Sequence, residues 1–220
     1  MPSVFISPNT NFAFKKIFGS TESKDILISF LDAILYDSSG SILDVEIVNP
    51  YQPPQVDTFK ASYLDIKASI RNQDGSTKSV LIKMQVMKKL GFEKRILYNA
   101  AKAFSIQLDK GDGYFKLNPV IALTITAFTL FPPTPNVISR YVFTDRETSS
   151  EYPEAMELAF IELPKFHKPL EALDTLTDKW IYFLKSASDL ETIPTKLQQD
   201  PALEHAFSIA QESRLYRQEL

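Results

Sequence analysis

The amino-acid sequence predicts a mixed α/β protein, in which helices flank a central mixed sheet and a β-hairpin presents a polar face. Three observations support this fold class: two amphipathic helical segments open the chain, three alternating segments precede a further helix, and three more β-rich segments follow it. The predicted order is α, α, β, β, β, α, β, β, β, followed by helices. The 220 residues suit one core, assigned to residues 1–187, with a helical C-terminal extension at residues 188–220.

The composition predicts an ordinary folded, cytoplasmic protein, with 44% hydrophobic and 23% charged residues. The absence of cysteine excludes disulfides, thiolate zinc sites and cysteine nucleophiles. The longest apolar run, at residues 120–131, is interrupted by threonines and is too short to span a bilayer, so no membrane association is expected. The formal net charge of -3 means that any contact with nucleic acid must use a local cluster of cations.

Two helices are predicted near the N-terminus. Asn9 and Thr10 are suitable N-cap residues for a short helix with an aromatic inner face, which closes at Gly19. The second helix, from Ser23 to Tyr36, carries one wide apolar stripe at helical spacing. Such a stripe is typical of a helix that packs into a core, so we expect this face to be buried.

The segments between the helical regions have the alternating pattern of strands. Residues 43–48 form one predicted strand, and residues 63–70 and 80–86 form a hairpin around a turn that contains Asp74 and Gly75. The strongest predicted helix follows at residues 92–110, with Gly111 as its C-cap. Beyond it the sequence predicts three strands and a helix, at residues 120–131, 138–145, 158–163 and 170–187.

Alternation within the hairpin assigns its side chains to the two faces of the sheet. Directly opposed residues share a face, so the numbers of paired residues must have an even sum. A two-residue turn at Asp74 and Gly75 would give an odd sum, and we therefore predict a three- or five-residue loop, or a bulge beside Gly75. The apolar face is expected to contain Leu64, Ile66, Ala68, Ile70, Val80, Ile82, Met84 and Val86.

Four polar side chains are then expected together on the other face of the hairpin. Asp65 should lie across from Lys83 or Gln85, with Lys67 beside them, which predicts a cluster of one carboxylate, two amines and one amide. On the hairpin alone, a solvated polar sheet face is the better explanation of this quartet. Segments elsewhere in the chain favour a functional interpretation.

Six segments, spaced in order along roughly the first 185 residues, support that interpretation. They are Ser7–Gly19, Leu64–Ala68, Ile82–Val86, Lys94–Tyr98, Gln107–Gly111 and Phe160–Phe166. Together they resemble the Rpn-like recombination-promoting nuclease and transposase family of the PD-(D/E)xK nuclease superfamily. Several ordered matches are far more specific than any one motif. The resemblance implies a restriction-endonuclease-like core with its active-site face on the hairpin.

The resemblance also implies a metal site, formed by an Asp on the first hairpin strand and a Glu-x-Gln on the second. Mg²⁺ suits such oxygen ligands and would activate water for phosphodiester cleavage. Asp65 and Gln85 match their family positions, and Lys67 would survive on the catalytic face. Lys83, however, stands at the Glu position, and Asn11 stands where an acid is usual near the first helix. Mg²⁺ is therefore the cofactor implied for an active protein, with weak or lost binding at Asp65.

These departures lead to a hypothesis in which Asp65 and Lys83 form an ion pair at the former metal site, because an ammonium offsets the charge that Mg²⁺ would offset. The expected function is that of a PD-(D/E)xK-type DNA endonuclease or transposase-family protein with a degraded metal site. One alternative is a nuclease-dead module that binds a protein or a nucleic acid. Another is an enzyme in which Glu22 or Glu46 supplies the missing ligand.

Four cations are expected to contact DNA phosphates: Lys15, Lys16, Arg95 and Lys102. Arg95, Tyr98 and Lys102 share one face of the predicted helix at residues 92–110, where Arg95 is favoured as a phosphate clamp. An equally ordinary interpretation is that these side chains cover the sheet edge. DNA is the partner that the resemblance implies, and cleavage of two strands by two sites would favour a homodimer.

Overall fold

The structure, a computed structural model, describes residues 4–52 and 62–218, with side chains for residues 4–50 and 64–211. The helices are α1 (Asn11–Phe18), α2 (Lys24–Leu35), α3 (Phe92–Ser105), α4 (Leu176–Ser186), α5 (Thr195–Gln198) and α6 (Pro201–Gln218). The strands are β1 (Ile42–Val48), β2 (Tyr51–Gln52), β3 (Ser62–Tyr63), β4 (Ile66–Asn72), β5 (Thr77–Gln85), β6 (Val120–Thr126), β7 (Ile138–Tyr141) and β8 (Met156–Glu162). No described helix is both long and apolar enough to cross a bilayer.

Six of these strands form one mixed sheet in the order β1-β4-β5-β6-β8-β7. The pairs β5–β6 and β6–β8 are parallel, whereas β1–β4, β4–β5 and β7–β8 are antiparallel. Two parallel strands need a long crossover, and the chain between β5 and β6 supplies it with α3. β2 and β3 pair separately as a short ribbon. The predicted fold class, a mixed sheet flanked by helices, is confirmed.

Helices cover both faces of this sheet. On one face, α3 packs on β6 and β8 over a smaller apolar cluster that includes Leu64, Leu81 and Phe92. On the other face, α1, α2, α4 and α6 enclose the main core, into which Ile82 and Ile125 project from the central strands. Because apolar layers cover both sides, β6 is buried along its whole length, including Thr124 and Thr126.

Local signals set the position of α1, whose first residue, Asn11, lies near Lys83 and Gln85 of β5. Thr10 is the N-cap, and its hydroxyl accepts a hydrogen bond of 3.3 Å from the amide of Ala13, as the sequence predicts. The inner face of α1 carries Phe14 and Phe18, whose ring centroids lie 4.7 Å apart in the main core. The opposite face of α1 exposes its polar residues to solvent.

The predicted C-terminal extension is helical and joins the main core. Phe207 of α6 is fully buried, with its ring centroid 4.8 Å from that of Phe183 and 5.1 Å from that of Phe5. The amide of Ile6 donates a 3.2 Å hydrogen bond to the carbonyl of Ala210, which ties the first described residues to α6. The extension therefore closes the core that the preceding residues begin.

The hairpin of β4 and β5 has the geometry that its residue pairing requires. Ile66 pairs with Ile82, and Ala68 pairs with Val80, so the residue numbers of each pair add to an even number, as predicted. The amide of Asn72 donates to the carbonyl of Ser76, which leaves a three-residue loop at residues 73–75. This loop is one of the predicted alternatives, and it places both apolar sets of these strands in the main core.

Two assignments to the apolar face of the hairpin were wrong. Val86 lies beyond the end of β5 and is 47% exposed, so it does not continue the apolar face of that strand. The sequence predicts that Leu64 lies on the same side as Ile66, but Leu64 packs in the α3 cluster with Leu81, whereas Ile66 lies in the main core. The physical reason is a bend at Asp65, which separates β3 from β4 and interrupts the alternation of a single long strand. The predicted strand at residues 63–70 is thus divided, and β4 runs further, to Asn72.

Several predicted elements end earlier than their patterns suggest. α3 stops at Ser105, so Gly111 is not its C-cap but lies in a later loop with a φ of 100°. β6 ends at Thr126 because the buried carboxylate of Glu162 accepts hydrogen bonds from the amides of Leu130 and Phe131, which fold the following segment into a turn. A buried acceptor of this kind has no signature in local periodicity.

Candidate functional site

A cleft of about 350 Å³ lies between the hairpin, the N-terminus of α1 and the N-terminal half of α3. Its floor is apolar and includes Leu64, Leu81, Phe92, Ile96 and Ala122. Its polar lining consists of cations, amides and hydroxyls: Lys83, Lys89, Arg95, Asn11, Gln85, Asn99, Tyr98 and Thr124. No acidic side chain is among the described residues that line this cleft. Concave sites with an apolar base and a few polar groups are typical ligand sites.

The carboxylate of Asp65 lies behind Lys83, with both of its oxygens engaged. Lys83 Nζ is 3.0 Å from Asp65 Oδ1, and the amide of Met84 donates to Asp65 Oδ2 at 2.7 Å. Lys15 of α1 approaches the same carboxylate, with its Nζ 3.9 Å from Oδ1. The side chain of Asp65 is only 2% exposed, whereas that of Lys83 is 23% exposed. The predicted contact between Asp65 and Lys83 is therefore present.

The bend at Asp65, which turns Leu64 toward α3, also explains how the Asp65 side chain reaches β5. The amide of Asp65 donates to the carbonyl of Ile82 at 3.1 Å, just beyond the last regular pair of the hairpin. Its carboxylate can then serve as the acceptor for the amide of Met84, which β4 is too short to pair. A buried carboxylate with one backbone donor and one ammonium is well satisfied.

Gln85 positions Arg95 at the edge of the cleft. The side-chain oxygen of Gln85 accepts a 2.9 Å hydrogen bond from the Arg95 guanidinium, and its amide nitrogen donates to the carbonyl of Met87 at 2.8 Å. The guanidinium carbon of Arg95 also lies 5.2 Å from the centroid of the Phe92 ring, a cation–π distance. The arginine is thus held by two contacts before any ligand arrives.

The residues present do not fit a magnesium ion. Mg²⁺ requires near-octahedral oxygen coordination with at least one or two carboxylates free to bind it. Asp65 is the acid of this site, its oxygens are occupied, and the ammonium of Lys83 lies on its cleft side. No group of three or more acidic or histidine side chains that could hold a metal ion occurs in the described part of the chain, and neither Glu22 nor Glu46 lines the cleft.

None of the described ion pairs or hydrogen bonds of Asp65 involves Lys67, which the sequence pattern places in the same cluster. It lies opposite Leu81 in the hairpin and opposite Val48 in β1, where it is partly exposed. The ion pairs of Asp65 come instead from Lys15 and Lys83. Its pairing partner Leu81 lines the cleft together with Lys83, so Lys67 lies on the predicted face of the sheet without a described ion pair to Asp65.

The predicted DNA-contacting cations fall into two groups. Lys15, Lys16 and Arg95 are all solvent-accessible, with Lys15 and Lys16 in the last turn of α1. The prediction for Lys102 was wrong, because this residue is only 7% exposed. It is one of the buried residues of α3, next to Ala103, and so contributes little to the exposed cationic surface.

Asn11 lines the cleft, as expected for its family position, and two further lining residues extend the site. Asn99 follows Arg95 by one helical turn, and this spacing of four is the sequence signal that identifies it. Lys89 lies between β5 and α3, outside both elements, so no periodic pattern indicates which way it faces. Its position in the cleft follows from the path of the chain between the two elements.

A comparison with known families agrees with this geometry. A family model described as PD-(D/E)XK nuclease family transposase matches residues 8–220, which include the C-terminal helices. No curated protein and no solved structure matches the chain. The six-stranded mixed sheet between helical layers is consistent with the restriction-endonuclease-like fold of that superfamily. The chain therefore belongs to the PD-(D/E)XK nuclease family transposases.

Proposed function

We propose that this protein is a nucleic-acid-binding member of its family that has lost metal-dependent phosphodiester cleavage. The observation that carries the proposal is the Asp65–Lys83 ion pair, with 3.0 Å between Nζ and Oδ1. Family members generally use divalent metals, and DNA is the substrate that the family suggests. In this chain an ammonium stands at the position where the metal would need its second acidic ligand.

Electrostatics explains why Lys83 is incompatible with the metal. At an effective dielectric constant of about 20, two unit charges about 4 Å apart interact by roughly 4 kcal/mol, so a divalent cation beside an ammonium would be repelled by more than that. The carboxylate of Asp65 gains nothing by exchanging partners, because Lys83 and the Met84 amide already satisfy it. Both effects weaken metal binding at this position.

The remaining features of the cleft favour a polyanion as the ligand. Lys83, Lys89 and Arg95 line it without an acidic side chain among the described lining residues, and Lys15 and Lys16 extend the positive charge along α1. Arg95 is already oriented by Gln85, so little side-chain entropy is lost when it binds a phosphate. This cationic lining supports nucleic acid over a protein partner.

Calorimetric titration with Mg²⁺ and Mn²⁺, paired with a plasmid-nicking assay, tests the loss of metal chemistry. We expect no saturable metal binding and no cation-dependent nicking by the wild-type protein. Metal-dependent nicking that disappears in Asp65→Ala would refute the proposal.

In the converse experiment, Lys83→Glu combined with Asn11→Asp restores two acids, and we expect Mn²⁺ affinity to rise at least about tenfold. Lys83→Met is the matched control, because it removes the ammonium without adding a ligand.

A further inference from the structure

The cleft combines two surfaces that different parts of a ligand would occupy. Its rim is cationic, through Lys89 and Arg95, whereas its floor is formed by buried apolar side chains such as Leu81 and Phe92. Its volume of about 350 Å³ is within the range of sites that enclose a small organic molecule. Phosphate contacts alone need no concave apolar floor, because phosphates lie on the outside of a nucleic-acid strand.

An exposed aromatic ring stands at the same cleft. Tyr98 lines the cleft and remains 44% exposed, although it belongs to a regular turn of α3. Aromatic side chains beside a basic groove are the arrangement by which proteins stack the bases of single-stranded nucleic acid. In a duplex, the base faces are already stacked on one another and are closed to such contacts.

We infer that the cleft binds single-stranded nucleic acid, with one unpaired nucleotide inside it. This inference rests on the proposed function and specifies its ligand. The phosphate of the inserted nucleotide lies against Arg95 and Lys89, and its base stacks on Tyr98 above the apolar floor. Asn11 presents an amide group that can bond to a base edge. Lys83 remains paired with Asp65 and contributes charge at the base of the cleft.

Fluorescence anisotropy in a buffer that contains EDTA tests the inference without any metal. The probes are a labelled DNA strand of about 16 nucleotides, the RNA strand of the same sequence, and the blunt DNA duplex. We expect at least one of the two single strands to bind about tenfold or more tightly than the duplex, since one stacked base supplies a difference of this size. The comparison of the DNA strand with the RNA strand shows whether the protein distinguishes deoxyribose from ribose.

Variants at the cleft separate stacking from charge. Tyr98→Ala should weaken single-strand binding by about tenfold or more, and Tyr98→Phe should restore it, because the ring and not the hydroxyl is needed. Arg95→Ala should lower the salt dependence of single-strand binding, reducing the slope of log K against log salt by about 0.7. Tyr114→Ala is the control, because Tyr114 is 84% exposed but lies outside the cleft.

The possible results distinguish the two proposals. Equal affinity for the duplex and both single strands would overturn the inference, and so would unchanged single-strand binding by a folded Tyr98→Ala protein, while nucleic-acid binding itself would stand. Failure to bind any of the three probes would overturn the proposed function together with the inference. Circular dichroism confirms that each variant is folded, and the Tyr98→Phe comparison keeps the ring test independent of stability.

Discussion

The carboxylate of Asp65 is buried, and two different hydrogen-bond donors stabilise it. Its carboxylate accepts from the backbone of Met84 at 2.7 Å and from the ammonium of Lys83 at 3.0 Å, while Lys15 is within 3.9 Å. The partners are unequal in exposure, because the Lys83 side chain can still reach solvent, whereas that of Asp65 cannot. Removing the acid and removing the amine should therefore have different energetic consequences.

Substitutions at this pair should be strongly non-additive. We expect Asp65→Ala to lower the free energy of unfolding by about 3 kcal/mol, because it leaves the Met84 amide and a partly buried ammonium without their acceptor. Lys83→Met should lower the free energy of unfolding by only about 1 kcal/mol, since the Met84 amide still donates to Asp65 and Lys15 still lies near its carboxylate. The double variant should be more stable than the sum of the two single changes predicts.

Urea denaturation, followed by the fluorescence of the single tryptophan, Trp180, measures these differences. Additive losses in the double variant would show that Asp65 and Lys83 are energetically independent, contrary to the short contact between them.

The hairpin is the element that brings Asp65 and Lys83 together, and its loop determines the pairing. Residues 73–75 form the loop, and Gly75 has a φ of 85°, a conformation that glycine adopts readily. A Cβ at Gly75 would meet nothing within 4 Å, so only the backbone conformation opposes a side chain there. Asp74 supports the loop by accepting a hydrogen bond from the amide of Ser76 at 2.8 Å.

Gly75→Ala should therefore lower the free energy of unfolding by about 1 kcal/mol, the cost of a left-handed alanine. Gly75→Asn should cost less, because asparagine tolerates this region better than other residues with a side chain. Gln73→Ala in the same exposed loop is the control and should change stability by less than about 0.5 kcal/mol. Thermal unfolding measures all three, and equal melting temperatures for wild type and Gly75→Ala would contradict the backbone explanation.

At the scale of the whole molecule, the C-terminal helices complete the layer opposite α3. Phe207 of α6 contacts Phe183 of α4 and Phe5 at the N-terminal end, so one aromatic group joins distant parts of the chain. Trp180 belongs to the same core, with its ring centroid 5.8 Å from that of Phe183. The family match also extends through these helices. We therefore expect α6 to unfold together with the rest of the core.

Phe207→Ala should reduce the free energy of unfolding by about 3 to 5 kcal/mol, because it removes a fully buried ring and leaves a cavity. Trp180 fluorescence and far-ultraviolet circular dichroism should report one shared transition at a lower urea concentration. Ser208→Ala, on the exposed side of α6, is the matched control and should be nearly neutral. Two separate transitions in the wild-type protein would show that α6 is not part of the cooperative core.

The sequence by itself determined the order of the main elements, the main apolar faces, the three-residue hairpin loop as one of few alternatives, and the placement of Asp65 across from Lys83 or Gln85. These features depend on local periodicity and on the pairing rule of adjacent strands, which a single sequence contains. The family resemblance added the expectation that Asn11 and Gln85 lie at the same site, and both line the cleft.

Only the tertiary structure decided the face of Leu64, the burial of Lys102 and the entry of Lys89 into the cleft. Each depends on where a strand bends or on how α3 lies across the sheet. Such features arise from contacts between segments that are distant in sequence, such as Glu162 with residues 130 and 131. Alternation along one segment contains no information about a bend that another segment imposes.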